Sequence, residues 1–190
     1  MAVTNPGGSW TYEDLLSLPD DGRRYEIIEG VPYEMPSPTA TRAVVISNIM
    51  LLLGPVIEAL GGWLLTAPLD VFIPGANPVQ PDIVLLLPES NARLSARGVE
   101  GIPSLVIEVV SPTNRGHDLV TKRTLYSSAG VREYWLVDPA SRTVDVLTLQ
   151  CELYRLSQTA TGSEAVLSPL LSGVSLPLPQ VFSRIDEIHG

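Results

Sequence analysis

The sequence predicts a mixed α/β domain with a central mixed sheet flanked by helices. Its helical and strand patterns follow one another in the order helix, hairpin, helix, several strands, helix and strands, which is typical of this class. The segment 104–110 is an almost continuous apolar run, as in a strand that is covered on both faces. Of the 190 residues, 45% are hydrophobic and 17% are charged, which suffices for a sizeable core. We expect one domain over 1–190, with its core at about 10–150 and a C-terminal strand and loop extension at about 151–190.

The first elements predicted are a short helix and a hairpin. Thr11 has a side chain suited to the N-cap of a helix, and Asp14 supplies the acidic group three positions later. This helix should end near 19–22, where proline, two aspartates and glycine follow one another. The hairpin is predicted from the segments 25–28 and 31–35 around the turn residues Glu29 and Gly30.

A long helix is predicted over 39–60. Its apolar stripe has spacings of four, three, four and four and consists of Val45, Ile49, Leu52, Val56 and Leu60. Its other sides are also apolar and carry Val44, Leu51, Leu53 and Ile57. A helix that is apolar on more than one side lies deep in a core or at a subunit interface, and we therefore expect a homodimer. Pro55 should kink this helix or end its first segment.

The apolar stretch 43–69 also has the composition of a possible membrane span. It contains Glu58, however, and an acidic side chain near the centre of a bilayer costs about 2.5–3.5 kcal/mol. Ser47, Asn48, Pro55 and several glycines interrupt it as well. We therefore expect a buried helix and no membrane partner.

The remaining elements are short strands and one further helix. Strands are predicted over 63–66, 71–73, 83–87, 105–110, 133–137 and 144–149. The helix is predicted over 118–129, with Asp118 as its N-cap and Gly130 at its C-terminal stop.

Charge and cysteine content restrict the classes of partner and compartment. The net charge is −9, which is unusual for a protein that binds nucleic acid, although a local basic patch can supply the binding energy. The single cysteine, Cys151, allows no internal disulfide and no cysteine zinc site. The first ten residues also lack the basic and apolar regions of a secretory signal. We therefore expect a cytoplasmic protein.

Two acidic residues stand out against the apolar strand patterns. Glu108 interrupts the run at 104–110, and an ionised carboxylate that is buried without a compensating partner is unfavourable by several kcal/mol or more. Asp82 heads the neighbouring apolar run at 83–87, where it could project into a cleft or could serve as a turn residue after Pro81. The buried charge of Glu108 must therefore be compensated by a metal or a cation, or avoided through a raised pKa.

Lys122 is a third exception, because it lies on the predicted inward face of its helix. Leu119, Lys122, Tyr126 and Ala129 follow spacings of three, four and three and therefore share one face. Lys122 is also the only lysine, and the other 11 basic residues are arginine. It could serve a reaction, extend its amine to solvent, or simply pair with Glu108 as a structural ion pair.

Two acids on adjacent strands and one inward lysine make up the set of groups that metal-assisted cleavage of a phosphodiester requires. Carboxylates bind Mg²⁺, which acidifies a bound water, and a lysine can orient the nucleophile. Acid and lysine trios also occur as purely structural networks, so both interpretations stay open at this point.

Several segments of the sequence resemble one known family. They are RRYEIIEG (23–30), MPSP (35–38), QPDIV (80–84), LVIEVVSPT (105–113) and DLVTKRTLYSSAGVREYWLVDP (118–139). Over about 10–150 they resemble the Uma-two family of restriction-endonuclease-like proteins, within the PD-(D/E)xK nuclease superfamily. The resemblance implies a restriction-endonuclease-like fold with an N-terminal helix and hairpin elaboration. It also implies a Mg²⁺- or Mn²⁺-dependent DNA endonuclease with Asp82, Glu108 and the Val109 carbonyl as metal ligands.

The sequence departs from the superfamily pattern at the catalytic lysine. Val110 occupies the position two residues after the acid, so the resemblance suggests that Lys122 replaces that lysine from the following helix. Glu26 is either an accessory acid or an ordinary hairpin carboxylate. Many family members have a histidine near 39–42, where this chain has none, and His117 and His189 are expected in a loop and in the tail.

Arginines near the predicted site are candidates for binding phosphate groups. They are Arg115, Arg123 and Arg132, and each could equally be a solvated surface residue. The leading hypothesis is therefore a DNA endonuclease that uses Asp82, Glu108 and Lys122. The alternatives are a noncatalytic dimeric binding or regulatory protein with a nuclease fold, and a phosphoesterase that acts on RNA or a modified nucleotide.

Overall fold

The computed structural model describes residues 8–17, 24–28, 30–35, 39–110 and 117–188. Its strands are β1 (Arg24–Ile28), β2 (Val31–Met35), β3 (Trp63–Thr66), β4 (Val71–Phe72), β5 (Ile83–Leu86), β6 (Arg93–Ser95), β7 (Gly98–Glu100), β8 (Leu105–Val109), β9 (Glu133–Asp138), β10 (Thr143–Gln150), β11 (Leu153–Ala160), β12 (Ala165–Leu167) and β13 (Ser175–Pro177). Its α-helices are α1 (Tyr12–Leu16), α2 (Ala40–Ala59), α3 (Arg123–Ala129) and α4 (Leu178–Val181). A π-helix (His117–Lys122) precedes α3, and a 3₁₀-helix (Ile185–Glu187) follows α4.

A six-stranded mixed sheet forms the centre of the fold, in the order β11-β10-β9-β8-β5-β3. β8 and β9 are parallel, whereas the other neighbouring pairs in this sheet are antiparallel. Every residue of β5, β8 and β9 is buried, because helices or loops cover both faces of the sheet. The predicted mixed α/β class with a central mixed sheet flanked by helices is confirmed.

Helix α2 covers one face of the sheet. It begins after the N-cap Thr39, whose side chain accepts a hydrogen bond from the Arg42 backbone N–H, and it ends at Leu60, close to the predicted bounds. Its buried residues are Val45, Ile49, Leu53 and Ile57. The predicted stripe is therefore right at its start and wrong in its second half, where spacings of four rotate the buried side from Leu52 and Val56 to Leu53 and Ile57.

Helix α2 runs through Pro55 as one element, so of the two predicted effects, a kink or the end of a first segment, the second is wrong. Proline removes the hydrogen bond to the carbonyl of Leu51, four residues earlier. Leu51 is 75% exposed, and water can therefore satisfy that carbonyl. Within the described part of the chain, α2 is also the one helix long and apolar enough to cross a membrane by length and composition, a test that core helices pass as well.

The π-helix and α3 form the crossover between the parallel strands β8 and β9. Parallel neighbours need such a crossover, and a helix on the sheet face supplies it. The predicted helix at 118–129 starts one residue earlier, and Asp118 lies inside the π-helical turn instead of capping it. His117 likewise begins this helix and is not a loop residue. The C-terminal stop is confirmed, since Gly130 has the left-handed conformation with φ of 91°.

The N-terminal helix and hairpin follow the prediction. Thr11 and Asp14 form the reciprocal capping box of α1. Strands β1 and β2 pair antiparallel, and Gly30 in the turn has φ of 75°. The residues at which α1 was expected to end, 19–22, lie outside the described residues, as does His189.

A small three-stranded sheet, β4-β7-β6, was not predicted beyond its first strand. Strands β6 and β7 have three residues each, which is too short for an alternating pattern to stand out. β7 begins at Gly98, which has φ of 141° and lies where an added Cβ would be 2.2 Å from the Asp70 carbonyl oxygen.

The C-terminal segment packs on the same face of the sheet as α2. β11 pairs with β10 and extends the central sheet, whereas β12 and β13 form a separate pair. Glu133 on β9 holds this segment, because its carboxylate accepts hydrogen bonds from Ser168 Oγ at 2.6 Å, the Leu170 N–H at 2.8 Å and Trp135 Nε1 at 2.7 Å. Burial raises the pKa of Glu133, and these three hydrogen bonds oppose the increase.

Candidate functional site

The pairing of β5 with β8 places Asp82 across from Glu108. Ile83 lies opposite Ile107 in this antiparallel pair, so the same register carries Asp82 to the position opposite Glu108. Residues directly opposite on neighbouring strands have Cβ atoms about 4.5–5.5 Å apart. The Val109 N–H donates a hydrogen bond to Asp82 Oδ2 at 2.7 Å, which fixes the carboxylate against β8.

Lys122 enters the same region from the crossover helix. Its side chain is fully buried, which confirms the predicted inward placement. Nζ lies 3.0 Å from Glu108 Oε1 and 3.0 Å from Glu26 Oε2. Lys122 is the last residue of the π-helix, a rare helical form that occurs frequently at functional sites. The solitary lysine and two of the predicted acids therefore meet in one buried cluster.

Neighbouring groups hold the two carboxylates that face Lys122. Tyr126, one turn after Lys122, donates its hydroxyl proton to Glu108 Oε1 at 2.9 Å. Burial and the negative charges of Glu108 and Glu26 raise the pKa of Tyr126 well above its usual value, so the hydroxyl stays a donor. The backbone N–H of Gln80 donates to Glu26 Oε1 at 2.6 Å and ties the hairpin to the segment before β5.

Arg42 in the first turn of α2 binds the Asp82 carboxylate. Its Nε and Nη2 lie 2.8 and 2.6 Å from Asp82 Oδ1. Arg42 was not among the predicted site residues. One signal was present, because a positive side chain in the first turn of a helix is unfavourable beside the positive end of the helix dipole.

The electrostatics of the cluster follow from its burial. Burial raises the pKa of Asp82. The positive charge of Arg42, the hydrogen bond from the Val109 N–H and the positive charge of Lys122 oppose that increase. Among the described residues, three carboxylates (Glu26, Asp82 and Glu108) thus share two cationic side chains. The side chains of Glu26, Glu108 and Lys122 are at most 1% exposed, and that of Arg42 is 11% exposed.

The remaining predicted residues lie at or away from this cluster. The N–H and C=O of one strand residue point to the same neighbouring strand, so the Val109 carbonyl faces the side of β8 on which Asp82 lies. Arg123 is exposed and donates to the Tyr154 carbonyl at 3.1 Å, and it is not part of the cluster. Arg132 pairs with Glu89 on the surface. Arg115 lies outside the described residues.

The donor atoms are of the kind that a hard divalent cation prefers. Carboxylates at Asp82 and Glu108 and a carbonyl at Val109 supply oxygen ligands from two adjacent strands. Over the described ranges, no three His, Cys, Asp or Glu residues are grouped so as to hold a metal ion. The two carboxylates are instead bound by the side-chain cations Arg42 and Lys122. Metal ligation by Asp82, Glu108 and Val109 therefore stays a prediction.

Comparison with known families agrees with the resemblance. The model of the Uma2 family, described as "Putative restriction endonuclease", matches residues 12–179. The chain belongs to the Uma2 family. The Uma2 match extends past the core expected at 10–150 and includes β11, β12 and β13.

A solved structure supports the fold of this Uma2 protein. It is described as a "putative nuclease belonging to DUF820" from Anabaena variabilis ATCC 29413. The TM-score is 0.73 at 21% sequence identity, and the match covers 92% of this chain and 98% of that chain. At this identity the similarity shows the fold, which is restriction-endonuclease-like as expected. The comparison with curated proteins found no significant match.

Proposed function

We propose that this Uma2 protein is a Mg²⁺- or Mn²⁺-dependent DNA endonuclease that hydrolyses phosphodiester bonds at the buried cluster. The observation that carries the proposal is the meeting of Lys122 with Glu108 and Glu26, beside Asp82 on the neighbouring strand. A fully buried lysine that pairs with two acids differs from an ordinary surface ion pair. Burial also raises the pKa of Asp82 beside it, and carboxylates with perturbed pKa values concentrate at functional sites.

Each residue of the cluster has a role in the proposed reaction. Asp82, Glu108 and the Val109 carbonyl would hold the cation, which supplies an acidified water and neutralises charge on the phosphate. Lys122 would orient the attacking water and offset the negative charge that develops on the phosphoryl oxygens. Glu26 would act as an accessory acid that positions the Lys122 amine, and Tyr126 would fix the rotamer of Glu108.

Binding of the DNA backbone is assigned to arginines. Arg115 and Arg123 would contact phosphates, since arginine matches phosphate geometry with two parallel hydrogen bonds. The net charge of −9 requires such local contacts, because the protein as a whole repels DNA. Arg123→Ala should weaken DNA binding and reduce its salt dependence, measured by fluorescence anisotropy at several salt concentrations.

The decisive assay is divalent-dependent cleavage of duplex DNA, single-stranded DNA and RNA by the purified protein. Asp82→Asn, Glu108→Gln and Lys122→Met should each abolish cleavage while circular dichroism shows a folded protein. The matched control is Arg93→Gln, which removes an exposed arginine from a pair with Glu100. Equal products from wild type and the three site variants, or no products at all, would refute the endonuclease proposal.

A second candidate function is a noncatalytic dimeric protein that binds or regulates through the nuclease fold. It is favoured by exposed apolar side chains on and after α2, namely Leu51 at 75%, Leu60 at 50% and Trp63 at 57%. We propose that this surface forms a homodimer in either case. Light scattering should give twice the monomer mass, and Leu51→Glu should return the monomer. The noncatalytic function predicts, in addition, no thermal shift with Mg²⁺ or Mn²⁺.

A further inference from the structure

Arg42 binds Asp82, the carboxylate of the cluster that comes from the β5 side. Both Nε and Nη2 of Arg42 contact Asp82 Oδ1, and the Val109 N–H donates a hydrogen bond to Oδ2. A carboxylate oxygen offers about two acceptor positions, so Oδ1 is fully used by the guanidinium. A cation that binds Asp82 through Oδ1 therefore has to displace Arg42.

The position of Arg42 in the fold makes such a displacement feasible. Arg42 comes from α2, which lies on the opposite face of the sheet from α3, and its side chain is 11% exposed while that of Asp82 is 4% exposed. It is the most solvent-accessible charged member of the cluster. Arginine also has a long, flexible side chain and a planar guanidinium that binds phosphate with two hydrogen bonds.

We propose that Arg42 is an exchangeable counter-ion that couples binding of the divalent cation to binding of the nucleic-acid phosphate. In the absence of both, Arg42 neutralises Asp82. When a phosphate group approaches, the guanidinium turns to it and releases Asp82 Oδ1 for the cation. The inference rests on the proposed nuclease function, and it explains why Asp82 and Arg42 are already paired in the absence of cation and phosphate.

The coupling has a defined sign in both directions. Phosphate binding to Arg42 removes the competitor for Asp82, so DNA must raise the affinity for the cation. By linkage, the cation must raise the affinity for DNA by the same factor. Removal of the Arg42 charge must strengthen binding of the cation alone and abolish the effect of DNA on it.

The test measures binding and needs no turnover. Ca²⁺ is titrated into the wild type, Arg42→Gln and Arg42→Lys by calorimetry at one fixed pH, with and without a short DNA duplex. We expect Arg42→Gln to bind Ca²⁺ alone about tenfold more tightly than the wild type, the effect of one charge-assisted hydrogen bond. Arg42→Lys keeps the charge but has only one nitrogen to present to Oδ1. Its Ca²⁺ affinity should therefore lie between those of the wild type and Arg42→Gln.

A matched control separates the site from general loss of positive charge. Arg93 presents Nε and Nη2 to a single oxygen of Glu100 at 3.2 and 2.7 Å, in the same manner as Arg42 but on the surface. Arg93→Gln should therefore leave Ca²⁺ affinity unchanged. If Arg42→Gln does not fold, Arg42→Lys decides the result by itself.

Failure of this inference is distinguishable from failure of the proposed function. If the wild type binds Ca²⁺, Asp82→Asn abolishes it, and Arg42→Gln binds Ca²⁺ equally or more weakly, the metal site stands and the exchange is refuted. An unchanged Ca²⁺ affinity on addition of DNA to the wild type refutes it as well. If neither wild type nor Arg42→Gln binds Ca²⁺, both the exchange and the metal-dependent function are wrong.

Discussion

Replacement of Lys122 by methionine is the perturbation that best tests the energetics of the cluster. The substitution keeps the length and most of the volume of the side chain and removes its charge. Glu108 and Glu26 then lose the Nζ that lies 3.0 Å from each of them, in an environment where their side chains are at most 1% exposed. Two buried carboxylates are left with no ammonium between them.

The magnitude follows from the cost of leaving a buried charge without its partner. Removal of one partner of a buried ion pair destabilises a protein by about 3–5 kcal/mol. The free energy of unfolding of a domain is about 5–15 kcal/mol, so Lys122→Met should lose a large share of it.

The assay is urea denaturation followed by circular dichroism, with unfolding free energies compared at constant m-value. The double variant Lys122→Met with Glu108→Gln should recover part of the loss, since one of the two uncompensated charges is gone. Arg132→Met is the control, because its pair with Glu89 is solvent-exposed and contributes almost nothing to stability. A loss for Lys122→Met no larger than that of the control would show that Glu108 and Glu26 do not depend on Lys122 for compensation, and the reasoning would be refuted.

Three further substitutions test other parts of the structure. Glu133→Gln should destabilise the protein by about 1–3 kcal/mol, since an amide nitrogen replaces an acceptor of a backbone N–H. Burial raises the pKa of Glu133 in the folded state, so protonation of Glu133 favours folding. The stability of the wild type relative to Glu133→Gln is therefore largest below about pH 4, and it falls as the pH rises through the pKa of the folded state. Gly98→Ala should distort the start of β7, because its Cβ would lie 2.2 Å from the Asp70 carbonyl oxygen, and the melting temperature should drop. Tyr126→Phe should cost about 1.5–3 kcal/mol in urea denaturation, the contribution of a hydrogen bond to the charged Glu108.

Each of these has a control on the chain. Glu58→Gln on the exposed side of α2 should leave stability and its pH dependence unchanged. Gly54→Ala, where an added Cβ meets nothing within 4 Å, should be neutral or stabilising by up to about 1 kcal/mol. Tyr12→Phe removes a half-exposed hydroxyl that donates to Asp70, and should cost less than Tyr126→Phe. Equal losses in test and control variants would contradict the assigned contacts.

Part of the fold and of the site was predictable from the sequence because it depends on local interactions. The helix cap at Thr11 and the stop at Gly130 follow from side chains and backbone preferences within a few residues. The burial of Glu108 followed from the apolar run around it, and the inward placement of Lys122 followed from helical periodicity. Neither inference required knowledge of the strand order.

The contacts of these residues depended on the tertiary structure. Arg42 binds Asp82 across 40 residues of sequence, and Lys122 meets Glu26 across 96 residues. Such pairs form only because β5 lies beside β8, because the crossover helix returns over β8, and because the hairpin packs against that helix. Sequence periodicity specifies which side of an element is buried, but it carries no information about which other element covers that side. The sequence therefore determined that Glu108 and Lys122 are buried, and the packing of distant elements determined which charges surround them.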